Sequence, residues 1–395
     1  MAKLRVVFSI GAMHGGGSER QIVHLLNHLD RREFEPFLYL VYRTGPLLPL
    51  LPNDVPVVSF EERAPRSGIY LPGRMHARRV QDFAAYLKEV RADVSYDRTF
   101  LMTLISAAGA QKIGVPNIST IVTDPETGFA PVAGRFQWFK HRMLHRLYNR
   151  SARVLAVSDG AREAAIRFYD IRPDRIETHR NGVDTTSIQA LAVVPIDNDW
   201  WNAPARGPAA RRVRLLSAGR LNHQKGFHHL VTAAAELRRR DPQLDLRLAI
   251  LGDGSHRDVL QQQIEALGMG DFIRLPGFQT NAPAWYQSAD LFVLPSLIEG
   301  MPNVLLEAMA CGTPVVSTDC NSGPREILNG GTLGELVTVD SSNALVAGIQ
   351  RILADPEAAR SRAASARSII ESEWSIQSAA RRLEDFLRRA ARSLP

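Results

Sequence analysis

Residues 294–316 read LPSLIEGMPNVLLEAMACGTPVV, and this stretch decides the class of fold. An apolar strand ends at Pro295, a loop carries Glu299, and Pro302 opens an apolar helix that is followed by a second apolar strand. A strand, a helix and a strand joined by short loops are the repeating unit of a parallel sheet covered by helices. The stretch therefore predicts an α/β protein.

The loop and the helix start within this stretch form a candidate ligand site. Backbone N–H groups at a helix start can bind anionic or hydroxyl oxygens, because they have no partner inside the helix. Glu299 and Glu307 suit a polyol ligand, since a carboxylate accepts hydrogen bonds from paired hydroxyls such as those of a ribose or hexose. Two solvated glutamates are the alternative. The backbone segment consists of Gly300, Met301, Pro302, Asn303 and Val304.

The alternation of apolar strands and helical patterns extends through both halves of the chain. Two α/β domains are expected, because 395 residues exceed the roughly 100–200 of one ordinary domain. The predicted strands of the first half are LRVVFSI, FEPFLYLVY, ADVSYD, VPNISTIVT and ARVLAVS. Those of the second half are VRLLSAG, LRLAILG, FIRLPGF, LFVLPS and PVVSTD.

The domain boundaries follow from a break in this pattern. Residues 197–211 are rich in Trp, Asn, Pro, Gly and Arg without a helical or strand period, which predicts a linker. The predicted N-terminal domain is therefore 1–196 and the predicted C-terminal domain 212–373. Residues 374–395 carry apolar positions at helical spacing between arginines, which predicts one amphipathic helix at the end of the chain.

Two cations follow the first strand of the second domain, in the segment SAGRLNHQKGF at 217–227. Arg220 and Lys225 lie in a loop before a helix that is expected to begin near Phe227. A diphosphate suits this place, because guanidinium offers paired donors, ammonium a mobile point charge and the helix start a positive dipole. Two solvated loop cations are the alternative.

A glycine run separates the first strand from the first helix in GAMHGGGSERQIVHLL, residues 11–26. Gly15, Gly16 and Gly17 are a candidate anion cradle before a helix that Ser18 is expected to cap. The spacing differs from the GxGxxG fingerprint, which disfavours a dinucleotide oxidoreductase. A tight turn without a ligand is the alternative.

The composition, 45% hydrophobic and 23% charged, is that of a soluble globular protein. Cys311 and Cys320 provide neither a disulfide framework nor a set of metal ligands, so no metal is expected and a reducing cytoplasm fits best. The start of the chain reads as a buried strand rather than a signal peptide, and no apolar stretch reaches the roughly 18–20 residues that span a bilayer.

The net charge of +7 favours polyanionic partners such as anionic lipid, phosphorylated substrates or nucleic acid. Nucleic acid is disfavoured, because the chain carries no aromatic-basic RNA motif, zinc-finger pattern or helix-turn-helix pattern.

Together, several ordered motifs make the chain resemble family 4 of the glycosyltransferases over nearly its whole length. Motifs in the correct order and at suitable separations are far more specific than any one of them. They are GGGSER at 15–20, AVSDGARE at 156–163, HRNGVD at 179–184, GRLNHQKG at 219–226, EGMPNVLLEAMACGTPVV at 299–316, GPREIL at 323–328 and the closing helix from Trp374.

The resemblance implies a GT-B fold, in which two Rossmann-like domains face each other across a cleft and the last helix crosses back to the N-terminal domain. It implies retaining sugar transfer from a nucleotide diphosphate donor, most often a UDP-sugar, with UDP-N-acetylhexosamine among the candidates. The expected acceptor is a saccharide, lipid-linked or in the cell envelope, and no cofactor is expected. A nucleotide-sugar epimerase of the same fold is the alternative.

By the same resemblance, Arg220 and Lys225 bind the donor diphosphate, with Gly16 and Gly17 closing on the phosphates from the other domain. Glu307 then binds the ribose hydroxyls. Glu299 binds the transferred sugar, and the backbone that follows it contributes further contacts.

The chain departs from the family pattern after the strand VPNISTIVT, where many members place a histidine and this sequence has Val122. Asp124 nearby becomes the candidate for the acceptor side. An aspartate that caps a helix or turn before Pro125 is the alternative.

The segment GRFQWFKHRMLHRLYNRSAR at 134–153 mixes cations with aromatic residues and contains no acidic residue. Its pattern predicts docking on an anionic membrane, peripherally on the cytoplasmic face, through Phe136, Trp138 and Phe139. The later half, 143–148, is expected to pack on the N-terminal sheet. The cations are Arg135, Lys140, Arg142, Arg146 and Arg150.

Overall fold

The chain folds as two compact α/β units, each with its own parallel sheet and apolar core. The first unit comprises Met1–Gly182 and Ile376–Pro395, and the second comprises Val183–Ser375. The computed structural model describes three stretches of the chain: residues 3–64, 73–205 and 211–392.

The first unit contains a seven-stranded sheet whose paired strands are all parallel. Its strands are β1 (Leu4–Ile10), β2 (Phe34–Leu40), β3 (Val57–Ser59), β4 (Val94–Arg98), β5 (Asn117–Ile121), β6 (Arg153–Ala156) and β7 (Ile176–Thr178). Its helices before residue 183 are α1 (Gly17–His28), α2 (Phe60–Arg63), α3 (Arg74–Glu89), α4 (Phe100–Ile113), α5 (Pro125–Ala133), α6 (Gln137–Arg150) and α7 (Asp159–Tyr169).

The second unit contains a six-stranded parallel sheet. Its strands are β8 (Arg211–Ala218), β9 (Leu244–Leu251), β10 (Ile273–Gly277), β11 (Leu291–Leu294), β12 (Val315–Thr318) and β13 (Glu335–Val337). Its helices are α8 (Thr185–Ala192), α9 (Asp199–Asn202), α10 (Phe227–Arg240), α11 (Arg257–Ala266), α12 (Ala282–Ser288), α13 (Asn303–Ala310), α14 (Pro324–Ile327), α15 (Ser342–Ala354) and α16 (Pro356–Glu373).

Strand order fixes where each sheet can bind a ligand. The first sheet has the order β3-β2-β1-β4-β5-β6-β7 and the second β10-β9-β8-β11-β12-β13. In the second sheet β8 and β11 are the two central strands. From β8 the chain continues to β9 and β10 on one side, and from β11 it continues to β12 and β13 on the other. Open α/β sheets bind ligands at the carboxyl ends of the strands on either side of such a reversal. The loops after β8 and β11 carry the cations and glutamates singled out in the sequence.

The boundary between the units lies at Gly182, earlier than the predicted end of the first domain at residue 196. Helix α8 packs against α12 and α13 within the second unit, so residues 183–196 belong to that unit. The sequence pattern missed this assignment because a short amphipathic helix does not reveal which sheet its apolar side meets.

The predicted linker 197–211 is also, where described, a folded part of the second unit. Trp201 is fully buried, with its ring centroid 5.2 Å from that of Trp285. The buried guanidinium of Arg247 donates hydrogen bonds of 2.8 Å to the carbonyls of Ala203 and Pro204. Tryptophan burial and these bonds hold a segment that lacks a regular period, and its residues 206–210 lie outside the described residues.

The closing helix, α17 (Ile376–Ala391), belongs to the first unit, as its amphipathic pattern and the family resemblance predict. It begins two residues later than predicted, because Trp374 ends the preceding helix α16. Its apolar side joins the core that contains β1, and no described helix is long and apolar enough to cross a bilayer. The buried residues on this side include Ile376, Ala379, Ala380, Leu383, Phe386 and Leu387.

The motif HRNGVD holds this helix against the first sheet. The buried His179 donates from Nε2 to the carbonyl of Ala379 at 3.0 Å. A side chain at Gly182 would place its Cβ 2.6 Å from Cα of Ile376, so only glycine permits this approach. Gln21 bonds both the carbonyl and the N–H of Gly182, at 2.8 and 3.2 Å. The motif therefore has a structural role in the first unit.

Burial lowers the pKa of His179 from 6.5 to about 4. The unfolded chain thus takes up this proton at a higher pH than the folded chain, so acidification through this window favours unfolding. We expect His179→Gln, which can still donate to Ala379, to remove this effect. The free energy of unfolding of the wild type should fall relative to that of the variant by about 3 kcal/mol between neutral pH and pH about 4.

Denaturant unfolding of both proteins across this pH range measures the difference. Asp97 also titrates in this pH window. Burial raises its pKa to about 6, so its contribution to stability is lost as pH rises through the window. Asp97 is present in both proteins and cancels in the comparison. Parallel pH profiles for the wild type and His179→Gln would show that the histidine is not neutral in the folded state.

Candidate functional site

The carboxylate of Glu299 lies in the loop after β11, held by two hydrogen bonds. Ser296 Oγ donates to Glu299 Oε1 at 2.7 Å, and the Lys225 ammonium donates to the same oxygen at 2.6 Å. Ser322, after β12, donates to the backbone carbonyl of Glu299 at 2.7 Å. The glutamate side chain is only 7% exposed, so the hydrogen bonds from Ser296 and Lys225, and not contacts with water, hold its carboxylate in place.

Lys225 reaches this glutamate because the loop after β8 packs tightly on the loop after β11. Gly226 has a φ of +63°, and a Cβ there would collide with the carbonyl oxygen of Pro295. The N–H of Leu297 donates to the carbonyl of Gln224 at 2.8 Å. The first strand of the unit and its fourth strand thus present a cation and a carboxylate side by side, with the lysine side chain 22% exposed.

Arg220 lies in the same loop, five residues before Lys225, and is exposed. Its guanidinium makes no hydrogen bond or ion pair with any residue that the structure describes. A backbone hydrogen bond holds this loop in place, because the N–H of Leu221 donates to the carbonyl of Asp253 at 2.9 Å. A cation on a fixed backbone with a solvent-facing head is suited to an anionic ligand.

Glu307 lies inside α13, the helix that follows the Glu299 loop, and is partly buried. The hydroxyl of the buried Tyr286 donates to Glu307 Oε2 at 3.2 Å. Because one oxygen of the carboxylate receives this bond, the side chain has a defined orientation. The sequence motif predicts a role for Glu307 but not for Tyr286, which lies on α12 and lacks any local signal of its role.

The segment between the two glutamates is shaped by a close backbone approach. Pro302 is the N-cap of α13, and among the described residues no side chain caps this helix. Gly323, with a φ of +91°, lies so near that an added Cβ would be 2.7 Å from the carbonyl oxygen of Gly300. Gly300, Met301 and Pro302 are buried, whereas Asn303 and Val304 are partly exposed.

The two cysteines, Cys311 and Cys320, are free, buried thiols. Cys320 Sγ donates to the carbonyl of Ser296 at 3.0 Å, and burial raises its pKa to about 12. Burial likewise raises the pKa of Cys311 to about 12. Both thiols remain protonated at neutral pH, so they pack and donate rather than act as nucleophiles.

The glycine run of the first unit has the predicted place, between β1 and α1, but not the predicted cap. Helix α1 begins at Gly17 and its N-cap is Gly16, so Ser18 lies within the first turn and does not cap it. Gly15 has a φ of +90°, which turns the chain into the helix. Glycine at the N-cap leaves room for a ligand close to the backbone, and the phosphate role of Gly16 and Gly17 stays a prediction.

Asp124 is the N-cap of α5 and is 2% exposed. Its Oδ1 accepts the N–H of Glu126 at 2.8 Å. The helix-capping alternative from the sequence therefore describes its contact in this structure, and its role toward an acceptor stays a prediction. Glu126 in turn pairs with Arg167, at 2.9 Å, which ties α5 to α7.

Within the described stretches, no group of three or more His, Cys, Asp or Glu side chains is arranged to hold a metal ion. The cation that contacts Glu299 is the ammonium of Lys225.

Two family models match the chain, one for each half. The model "Glycosyltransferase Family 4" matches residues 15–187, and "Glycosyl transferases group 1" matches residues 203–369. Together they cover every strand of the two sheets except β1, and they include every family motif quoted from the sequence except the closing helix.

Curated relatives carry sugar-transfer names. The chain is 32% identical over 213 residues to the N-acetylgalactosamine-N,N'-diacetylbacillosaminyl-diphospho-undecaprenol 4-alpha-N-acetylgalactosaminyltransferase of Campylobacter jejuni, which covers 54% of each chain. It is 31% identical over 277 residues to a D-inositol 3-phosphate glycosyltransferase of Pseudarthrobacter chlorophenolicus, which covers 66% of this chain and 63% of that protein. The chain thus matches between about half and two thirds of the length of these relatives.

Solved structures share the fold over nearly the whole chain. A crystal structure of HepE from Anabaena, in complex with UDP and glucose, matches with a TM-score of 0.79 at 22% identity and covers 98% of this chain and 99% of that one. A likeness of this extent confirms the predicted GT-B fold. With both family models matched in order along the chain, the protein belongs to family 4 of the glycosyltransferases.

Proposed function

We propose that this protein is a retaining glycosyltransferase that moves a sugar from a nucleotide diphosphate donor, a UDP-sugar, to a saccharide acceptor. The observation that carries the proposal is the contact of Lys225 with Glu299 at the reversal point of the second sheet. A cation can bind the charge of a diphosphate, and a carboxylate can accept hydrogen bonds from the hydroxyls of a sugar. Here the two groups are adjacent at the place where such sheets bind ligands.

The cations would stabilise the leaving group. Sugar transfer develops negative charge on the departing diphosphate, and cations fixed beside it lower the barrier because they need no reorganisation. The ammonium of Lys225 has three donors, of which one is used on Glu299. The remaining donors, together with the exposed guanidinium of Arg220, would face the diphosphate.

The two glutamates would orient the donor. Glu299, fixed by Ser296 and Lys225, would accept hydrogen bonds from hydroxyls of the transferred sugar. Glu307, oriented by Tyr286, would accept those of the ribose. The backbone N–H groups of Gly300, Met301, Asn303 and Val304 would add donors, and no metal is needed if the two cations carry the leaving-group charge.

The acceptor we propose is a lipid-linked or cell-envelope saccharide. The C. jejuni relative is named for an acceptor of diphospho-undecaprenol type, which supports this class. Its transferred sugar is an N-acetylhexosamine, which makes UDP-N-acetylhexosamines the first donors to test. Asp124 would orient or deprotonate the acceptor hydroxyl.

Thermal stabilisation by nucleotides tests the donor class, because a ligand that binds the native state raises its melting temperature. UDP and UDP-sugars should stabilise the protein more than ADP, GDP or NAD. Stabilisation by NAD without UDP would overturn the proposal. Product analysis then separates the activities, since an epimerase converts donor in the absence of acceptor and a retaining transferase yields a glycoside with the anomeric configuration of the donor.

Lys225→Ala should lower the rate of transfer by about 10²–10³, the cost of losing one fixed group that stabilises charge in the transition state. The substitution also leaves the buried Glu299 without its cation, which destabilises the fold. The double variant Lys225→Ala/Glu299→Gln removes that unpaired charge. It should recover the melting temperature while remaining inactive, and activity near that of the wild type in either variant would refute the role of Lys225.

Glu307→Ala should weaken donor affinity by about 10–100-fold, because hydrogen bonds to a charged group contribute about 1.5–3 kcal/mol. Isothermal titration with UDP measures this loss. Glu265→Ala is the matched control, since Glu265 is an exposed helical glutamate of the same unit. Equal affinities in the two variants would remove Glu307 from the site.

Asp124→Asn should lower turnover of the acceptor while leaving donor affinity unchanged. Asparagine caps helices as well as aspartate does, so this variant keeps the start of α5 and removes only the charge. Asp124→Ala removes the cap as well and should cost about 1 kcal/mol of stability. If the residue only caps α5, Asp124→Asn will retain full turnover with the acceptor at every pH.

A further inference from the structure

The end of α5, the connection to α6 and the first turn of α6 expose four large apolar side chains within eight residues of sequence. They form what we name the aromatic tip: Val132, Phe136, Trp138 and Phe139, exposed by 51%, 68%, 74% and 57%. Exposed apolar side chains normally occur singly, and a cluster of this kind marks a binding surface. We propose that the aromatic tip, with the arginines beside it, docks on an anionic lipid bilayer.

The exposure is imposed by the backbone. Gly134 and Phe136 have φ values of +58° and +63°, and a bulky residue adopts this region only where its surroundings hold it there. Lys140 Nζ donates to the carbonyl of Ala133, and Gln137 Nε2 donates to that of Ala130 at 3.2 Å. Two side chains of α6 therefore cap the end of α5, so the tip projects as an ordered turn.

The charges around the tip have a single sign. No Asp or Glu occurs between Glu126 and Asp159. Arg135 lies over the ring of Phe136 at 5.8 Å and Arg142 over that of Trp138 at 5.9 Å. Guanidinium groups interleaved with aromatic rings match a head-group layer, where the rings enter the interface and the cations meet phosphates.

The rest of α6 packs against its own unit. Leu144, Leu147 and Tyr148 are buried, as expected for the later half of the segment, and α6 contacts α4. Lys140 is partly buried and holds the end of α5 through one of its three donors, whereas Arg135, Arg142, Arg146 and Arg150 are exposed. The docking surface is therefore the tip and the exposed arginines, and α6 does not lie flat on the bilayer.

The position of the tip fits a membrane-borne acceptor, an extension that rests on the proposed function. Helix α5 has nine residues, which separates the tip from Asp124 at its start by about 14 Å. The docking itself depends only on the tip and its charges.

Co-sedimentation with vesicles tests the docking without any enzymatic readout. The full chain should bind vesicles of phosphatidylcholine with about one third phosphatidylglycerol, should not bind phosphatidylcholine alone, and should dissociate as salt rises. Trp138→Ser/Phe139→Ser should lose at least about tenfold in binding to vesicles, since the variant lacks two aromatic side chains that the wild type buries in the lipid interface. Arg142→Gln/Arg146→Gln should lose about fivefold per cation.

Two matched variants complete the experiment. Val259→Ser/Leu267→Ser removes exposed apolar residues from α11 and the turn after it. Arg360→Gln removes an exposed cation of the second unit. Both variants should bind vesicles like the wild type. Stabilisation by UDP in the tip variants shows separately whether the donor site is intact. Binding that is absent, indifferent to lipid charge, or equally reduced in the matched variants would overturn the proposal. Binding of the aromatic tip to a protein, with no binding to vesicles, would also overturn the proposal.

Discussion

The contact between Gly226 and the carbonyl of Pro295 is the constraint on which the candidate site depends. It brings the loop after the first strand of the second sheet against the loop after the fourth strand, and a side chain at position 226 would prevent it. The positive φ of Gly226 also sets the start of α10, so the same residue turns the chain into the helix. Lys225 and Glu299 meet because their backbones cannot move apart without breaking this packing.

The ion pair that results is better explained by ligand binding than by stability. A largely buried pair loses much hydration, and its net contribution to the free energy of folding is small. Here the glutamate is held by a serine as well, and the lysine retains donors that no described residue accepts. A protein that needed only a stable loop could fill this space with apolar side chains. The arrangement instead keeps a cation and a carboxylate ready at fixed positions.

The first unit shows a different use of close packing. Gly182 and His179 fix the closing helix on the sheet, so a motif near residue 180 secures a helix nearly 200 residues later in the chain. The same unit places a strained, capped turn at the end of α5, where apolar rings face solvent. Rigid elements thus hold both the closing helix against the sheet and the aromatic tip in its exposed position.

Much of the architecture follows from the sequence, because strand and helix periodicity is a local property of the chain. Strand β1 matches its predicted limits, and the other predicted strands lie within the segments quoted for them or extend them by one or two residues. The missed strands β3, β7 and β13 have three residues each and lie at or near sheet edges, where too few side chains alternate to give a pattern. The glutamates and cations were identified because their spacing in ordered motifs is also local.

The sequence by itself thus determined the α/β class, two sheets, the closing helix and the candidate residues of the site. Tertiary structure decided the strand order, the boundary at Gly182, the burial of Trp201 and the contact of Tyr286 with Glu307. These features depend on contacts between segments far apart in the chain, where backbone approach and burial select the neighbours. Local periodicity carries no information about which distant segment will supply them.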